Sequence, residues 1–404
     1  MGVTMTLDRI AAREGFAALI DALGGAAQTR LVGGVVRDTL LDLDPADVDL
    51  ATRLRPEDVL ARLKAAGIRA VPTGLAHGTV TAVLPSGPIE VTTLRRDVST
   101  DGRHAVVAFT DAWDEDASRR DFTMNALYAD PRTGAVFDSV GGLADLDARI
   151  VRFIGDPYRR IAEDHLRILR FFRFHARFGD AIDPEGLAAC TARANDLMAL
   201  SRERIASELL KLLVARHAVP VMTLMIGRGI LRAVLPEITD AAPLAELTAR
   251  EAAADVAPDP IRRLAALVPP PVAESVGARL KLSNADRKRL IAATAGSSDE
   301  GPRALAYRVG TTSAIDRLLL AGADVAPLRG WAPPTLPIGG GALVARGLSK
   351  GPQVAAVLRA IETRWIAEDF PNADRVDQIA DAAVAEALAD RIIDSASAAS
   401  SGRA

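Results

Sequence analysis

The chain has 404 residues, 49% hydrophobic and 25% charged, with a formal net charge of −3, the balance of a soluble globular protein of two to four domains at about 150 residues each. It is not a polycation, so any nucleic-acid surface is a local patch. The single cysteine, Cys190, excludes an intramolecular disulfide and a cysteine-based zinc site and fits a reducing, cytoplasmic setting.

The N-terminus carries Arg9, Arg13 and Glu14 and no signal-peptide core. Ala17 to Leu23 has a helical pattern. A strand-like run at Arg30–Val32 leads into the small-residue turn Gly33-Gly34, followed by Val35-Val36-Arg37-Asp38. Paired glycines let backbone N–H groups approach a phosphate. Thirteen residues after Gly34, Asp47-Val48-Asp49 opens a second strand-like run ending at Ala51. Residues two apart on a strand share a face, so Asp47 and Asp49 would aim two carboxylates at one point, with Val48 buried behind them. Mg²⁺ prefers carboxylate and phosphate oxygens, so the pair suits two Mg²⁺ ions bridging a nucleoside triphosphate, as in two-metal nucleotidyl transfer. The competing reading is a turn and an edge strand with two exposed acids. Leu54 to Ala66 is helical, with Pro56 near its start and Gly67 past its end.

Further strands are expected at Val80–Leu84, Ile89–Thr93 and Ala135–Phe137. Glu90, between Ile89 and Val91, completes a three-carboxylate site if its strand lies beside the first acidic one; otherwise it is an outward-facing strand Glu. In Arg119-Arg120-Asp121-Phe122-Thr123-Met124-Asn125 the arginines offer bidentate contacts to phosphate or ribose oxygens. Asp121 could be a helix N-cap, but capping alone leaves Asn125 and the arginines unexplained.

After residue 150 strand signals nearly vanish and Ala/Leu/Arg-rich helices dominate. Pro269-Pro270-Pro271 and the stretch from Pro333-Pro334 to Gly341 read as hinges, and Ser395–Ala404 as disordered. From Glu163 to Arg177, Arg167, Arg170, Arg173 and Arg177 fall within an arc of roughly 120°. Ile168, Leu169, Phe172 and Ala176 fall opposite. A solvated basic face is the ordinary explanation of such a run. Here the face begins with Asp164; an Asp and an Arg together match a Watson–Crick edge, and the later arginines suit a triphosphate. The histidines, among them His77, His104, His165 and His175, do not suggest a zinc cluster.

Four motifs stand in order: Gly-Gly-x-Val-Arg-Asp at 33–38, Asp-x-Asp at 47–49, Arg-Arg-Asp-Phe-Thr-x-Asn-Ala at 119–126 and Glu-Asp-x-x-Arg at 163–167. On these the chain resembles the class II tRNA nucleotidyltransferase and bacterial poly(A) polymerase family over roughly residues 25 to 180. The resemblance implies an α+β fold: an N-terminal nucleotidyltransferase head with a small mixed β-sheet, then an all-α neck, body and tail. The domains expected are a catalytic head at 1–150, a nucleotide-selecting, RNA-binding neck at 151–265 and a tRNA-binding body and tail at 266–394, before the disordered 395–404.

By the same resemblance Gly33, Gly34 and Arg37 contact the nucleotide, and Asp47 and Asp49 bind Mg²⁺, with Glu90 the further candidate acid. Arg120, Asp121 and Asn125 lie near ribose and phosphates. Asp164 and Arg167 select C or A, and Arg170 and Arg173 contact the nucleotide. Asp97 to Arg103 resembles the start of the family's flexible loop. Gly339 to Leu358 resembles its C-terminal RNA-binding segment, departing from it at Ala342, where an acidic residue is common.

The activity implied is untemplated addition of CCA to the tRNA 3′ end from CTP and ATP, with release of pyrophosphate. The partners are the tRNA acceptor arm and 3′ end and the two nucleotides, with no DNA and no membrane. The rivals are poly(A) addition, CC-only or A-only addition, a catalytically silent RNA-binding protein and an antibiotic-modifying nucleotidyltransferase. The intact aspartate pair argues against the silent protein. The long helical half argues against the antibiotic-modifying enzyme.

Overall fold

The computed structural model describes residues 3–45, 47–101, 104–296, 300–349 and 351–401, with backbone alone for 97–101, 104–107 and 390–401. By compactness the chain divides into Met1–Ala242 with Ser275–Leu282, and Pro243–Glu274 with Ser283–Ala404. The division falls at residue 242, within the neck expected at 151–265. Part of the reason is local: Arg279 donates to Glu237 and to the Val234 carbonyl, tying its short helix to the first unit.

The first unit is built on a mixed sheet of β1 (Thr29–Val32), β2 (Asp49–Thr52), β3 (Arg69–Gly74), β4 (Thr79–Leu84), β5 (Gly87–Thr93), β8 (Tyr128–Ala129) and β9 (Val136–Phe137). The order is β3-β4-β5-β2-β1-β8-β9, with β2 and β5 parallel and all other neighbours antiparallel. Period-two patterning explains the legible strands: Val80, Ala82 and Leu84 are buried, as are Ile89, Val91 and Thr93, with more accessible residues between them. The strands not anticipated carry weak patterns. β3 contains Pro72, which suits an edge, and β8 has two residues. A separate ribbon pairs β6 (Arg95–Asp101) with β7 (His104–Phe109). The loop resemblance at Asp97–Arg103 falls here: Gly102 and Arg103 lie outside the described residues, and His104 begins the second strand.

The helix predicted from Leu54 runs Pro56–Ala65, with Pro56 at its start, Glu57 and Asp58 in the first turn and Arg62 and Lys64 in the last, all matched to the helix dipole. Helices then dominate the chain, apart from a short parallel pair of Ile150–Val151 with Ala181–Ile182. Among the described residues no helix is long and apolar enough to cross a membrane.

The second unit is helical. One core gathers Leu247, Leu305, Leu318 and Leu319, and another Ile361, Trp365 and Ile379. The tail expected to be disordered from Ser395 is instead helical through Ser401, in a helix that begins at Ala373. Alanines recur along its last turns, and propagating an existing helix through good helix formers avoids the nucleation cost.

Candidate active site

The glycine turn and the acidic strands lie side by side in the sheet. Gly33 adopts φ +73° and ψ −121°, in the positive-φ region that favours glycine. Its N–H donates to the Leu127 carbonyl at 3.1 Å, and its own carbonyl accepts from Arg37 N at 3.0 Å. A methyl group on Gly33 would stand 3.4 Å from Arg120 Nη1, so that guanidinium lies against the turn. Gly34 opens the helix Gly34–Leu40.

The strand β2 begins at Asp49, so Asp47 precedes the ladder. Burial nonetheless alternates: Asp47 is exposed, Val48 buried, Asp49 half-buried and Leu50 buried. In the parallel β2–β5 register Asp49 pairs with Glu90 and Leu50 with Val91. The two fully buried apolar residues face the core, which puts Asp49 and Glu90 on the opposite face. Burial, then Glu90 and Asp47 as like charges, raise the Asp49 carboxyl to about 6, with Arg120 opposing. A half-buried oxygen donor strained by two neighbouring anions fits a hard divalent cation. Among the described residues no three His, Cys, Asp or Glu side chains converge closely enough to hold a metal ion. Mg²⁺ commonly takes one or two carboxylates and completes its shell with phosphate oxygens, so Asp49, with Glu90 beside it in the strand register, suits such a cation.

A second set of residues forms one hydrogen-bonded chain. Arg37 is buried beneath the turn, pairs with Asp38 at 2.6 Å and donates to Asn125 Oδ1. Asn125 donates to Asp121 Oδ1 at 3.1 Å, and Arg170 Nε donates to Asp121 Oδ2 at 2.7 Å. Burial alone would raise the Asp121 carboxyl; Arg170 beside it, with Asn125 and the Phe122 N–H, turns the net shift downward. Asp121 does not cap a helix. The segment makes only a 3-10 turn over Thr123–Asn125, and Phe122 bridges to Phe153 as extended chain. Asp121 thus serves Arg170 and Asn125 instead of a helix end.

The arginine helix runs Leu166–Phe178, with Ile168, Leu169, Phe172 and Ala176 buried as expected. Its cationic face is partnered rather than free, with Arg167 and Arg173 mostly covered and Arg170 and Arg177 still partly exposed. Arg167 meets Glu163, Arg170 meets Asp121, Arg173 meets Glu208, and Arg177 lies 3.5 Å from Asp38. Phe174 and Phe178 are buried beneath them, with Arg173 4.3 Å over Phe174 and Arg37 4.2 Å over Phe178. The guanidinium groups are held by carboxylates and rings, which preorganises them. Asp164 ends the helix Pro157–Glu163 and accepts from Arg204 Nη2 at 2.7 Å and from Leu166 N at 3.1 Å. Arg167 donates to Glu163 and to the Arg160 and Arg119 carbonyls; these bonds engage three of the guanidinium's five N–H groups. Gly33, Arg37, Asn125, Asp121 and Arg170 thus form one continuous network, with Arg120 between it and Asp49. Arg173 is tied to a different helix, through Glu208.

Known proteins resemble this chain in sequence and in fold. A family described as "Poly A polymerase head domain" matches residues 29–152, and one described as "Probable RNA and SrmB- binding site of polymerase A" matches 181–242. The human mitochondrial CCA tRNA nucleotidyltransferase 1 is 36% identical over 376 residues, covering 84% of this chain and 82% of its own. This chain belongs to the CCA tRNA nucleotidyltransferase and poly(A) polymerase family. The CCA-adding enzyme of Levilactobacillus brevis is 41% identical over 201 residues, covering 49% of each chain. The Bacillus stearothermophilus CCA-adding enzyme, crystallised with CTP, superposes with a TM-score of 0.67 at 28% identity, covering 87% of this chain and 92% of that one.

Several residues of this family site are visible only in three dimensions. Arg160 is buried, pairs with Glu163 at 2.7 Å and donates to the Ser118 and Arg120 carbonyls. With Arg167 it therefore pins the backbone of the double-arginine segment. Arg204 and Glu208, four residues apart on the helix Arg202–Leu213, hold Asp164 and Arg173. Their i, i+4 spacing was a usable signal, but nothing in the sequence names their partners.

Proposed function

We propose that this chain adds CCA to the 3′ end of tRNA from CTP and ATP without a nucleic-acid template. The observation carrying the proposal is the parallel register that sets Asp49 beside Glu90 next to the glycine turn, on a chain of this family. The RNA 3′-hydroxyl oxygen forms a bond to the α-phosphorus, the bond to the bridging oxygen breaks, pyrophosphate leaves and the hydroxyl proton goes to solvent. Asp47 and Asp49 are the residues that hold Mg²⁺, with Glu90 as neighbouring acid. When bound there, Mg²⁺ neutralises charge on the reacting phosphates. Gly33 and Gly34 let the backbone approach the triphosphate, and Arg37, Arg120, Asp121, Asn125, Arg170 and Arg173 orient sugar and phosphates. Asp164 and Arg167 present an acceptor and a donor to the base edge. RNA, not DNA, is the polymer, gripped by shape and phosphate contacts of the helical regions, and the cytoplasm is the compartment we assign.

A tRNA transcript ending at the discriminator base, incubated with Mg²⁺ and labelled CTP, ATP or both, is expected to gain two C residues, then one A, and stop. A long A tail from ATP alone would reassign the chain to poly(A) synthesis, the reading favoured by the head-domain match. Asp164→Ala is expected to blur discrimination among the four NTPs about tenfold or more in relative kcat/KM, with the Mg²⁺ dependence unchanged. Unaltered discrimination removes Asp164 from base selection.

A further inference from the structure

One buried carboxylate has no part in the chemistry described so far. Asp116, on the helix Trp113–Ser118, is 1% exposed. Its Oδ1 accepts from Arg95 N at 3.1 Å and Arg119 Nε at 2.9 Å. Its Oδ2 accepts from Arg120 Nη2 at 3.1 Å and from the Tyr128 hydroxyl at 2.6 Å. Tyr128 OH also accepts from Arg120 Nε at 3.3 Å.

A buried ion pair is ordinarily a structural device, and Asp116 does sit against the core of Trp113, Ala117 and Tyr128. The origin of its donors points further. Arg95 N is the first amide of the β6–β7 ribbon, and the two guanidinium groups belong to the motif preceding Asp121. Arg120 in turn lies against the Gly33 turn and close enough to Asp49 to lower its carboxyl. One carboxylate therefore joins the ribbon root, the double arginine and the nucleotide-facing turn. Without it, two adjacent guanidinium groups would repel, and Arg120 would lose the fixed direction that lets it meet a phosphate without paying ordering entropy.

We infer that Asp116 is a positioning residue for the nucleoside triphosphate, acting through Arg120 and anchoring the root of the β6–β7 ribbon. Burial would raise its carboxyl; Arg120, then Arg119, and the Tyr128 hydroxyl hold it at about 2, so the charge that does the holding persists across the working pH range.

The inference rests on the nucleotidyltransferase reading. The test measures equilibrium binding of CTP and, separately, of tRNA to the full chain, together with CCA addition by the parent protein. Asp116→Asn is expected to weaken CTP binding about tenfold and leave tRNA binding within about twofold. Tyr128→Phe removes one hydroxyl contact and keeps the ring, and is expected to weaken CTP binding two- to threefold; it decides the matter if Asp116→Asn does not fold. Unchanged CTP affinity in Tyr128→Phe and in folded Asp116→Asn overturns the inference, as does equal weakening of CTP and tRNA, which marks a general loss of structure. Absence of CCA addition by the parent protein overturns the function instead, because CTP binding is read independently.

Discussion

Asp49→Asn is expected to abolish incorporation of CMP and AMP alike, by about a thousandfold or more in kcat, and at the same time to stabilise the ligand-free protein at pH 8. The first effect follows from losing a charged oxygen donor where the strands set Asp49 beside Glu90. Transfer of C and A share this chemistry, so both fall together, and tRNA affinity stays within about twofold. The second follows from the same geometry without a cation. The Asp49 carboxyl ordinarily titrates at 3.8 and is raised to about 6 by burial, Glu90 and Asp47. Below pH 3.8 the folded and unfolded chains are both protonated there and the site is neutral to stability. Between about 4 and 6 the unfolded chain ionises first, and above 6 the folded protein carries the full penalty. Asparagine keeps the shape and removes the charge, so melting in chelator should rise by a few degrees at pH 8, for about 1–2 kcal/mol, and the gain should shrink at pH 4.5. Retained activity would remove Asp49 from the metal set. A variant no more stable than the parent at pH 8 would show that the carboxylates do not strain the empty site. The trade of stability for function is common at active sites.

Asp316→Ala is expected to cost the second unit about 3–5 kcal/mol, lowering its melting transition by about 10 °C. Asp316 is fully buried and accepts from Arg289 Nε at 2.7 Å and Nη2 at 3.0 Å, with Arg262 Nη1 3.6 Å away. Arg262 and Arg263 share Glu251, which is also buried, and Arg289 reaches Asp259 at 2.9 Å. Three guanidinium groups thus balance three carboxylates inside a helical unit. Alanine removes one anion and leaves the cations in low dielectric, which costs far more than the net value of the pair. Because the chain has two compact units, separate transitions should be resolved by calorimetry, with the first unit's nearly unmoved. A loss below about 1 kcal/mol would mean that water reaches the cluster and solvates the remaining arginines.

Local patterning decided much of this protein. The alternation through Val80–Leu84 and Ile89–Thr93 shows which face of each strand is buried, because a pleated strand has period two. Pro56 and Gly67 bound a helix because of their own backbone preferences. Gly33 and the Asp47-Val48-Asp49 spacing suggested a glycine turn near paired acids, and four ordered motifs pointed to the family, which the comparisons show. Other features depended on distant partners. The neighbours of Asp121 allow a helix cap among its roles, whereas its part as the acceptor for Arg170, 49 residues away, is not legible locally. The arginine face of Leu166–Phe178 reads from the sequence as a nucleotide-contacting surface, with a solvated face as the ordinary alternative; that Glu163, Asp121, Glu208 and Asp38 partner it is not legible there. Asp116 carries no signal beyond its spacing to Arg119 and Arg120, yet it joins the ribbon root to the glycine turn. Backbone conformation and amphipathic burial are short-range properties that a few neighbouring residues encode. Which carboxylate neutralises which guanidinium is set by the packing of strands and helices far apart in sequence, and so was decided only by the tertiary structure.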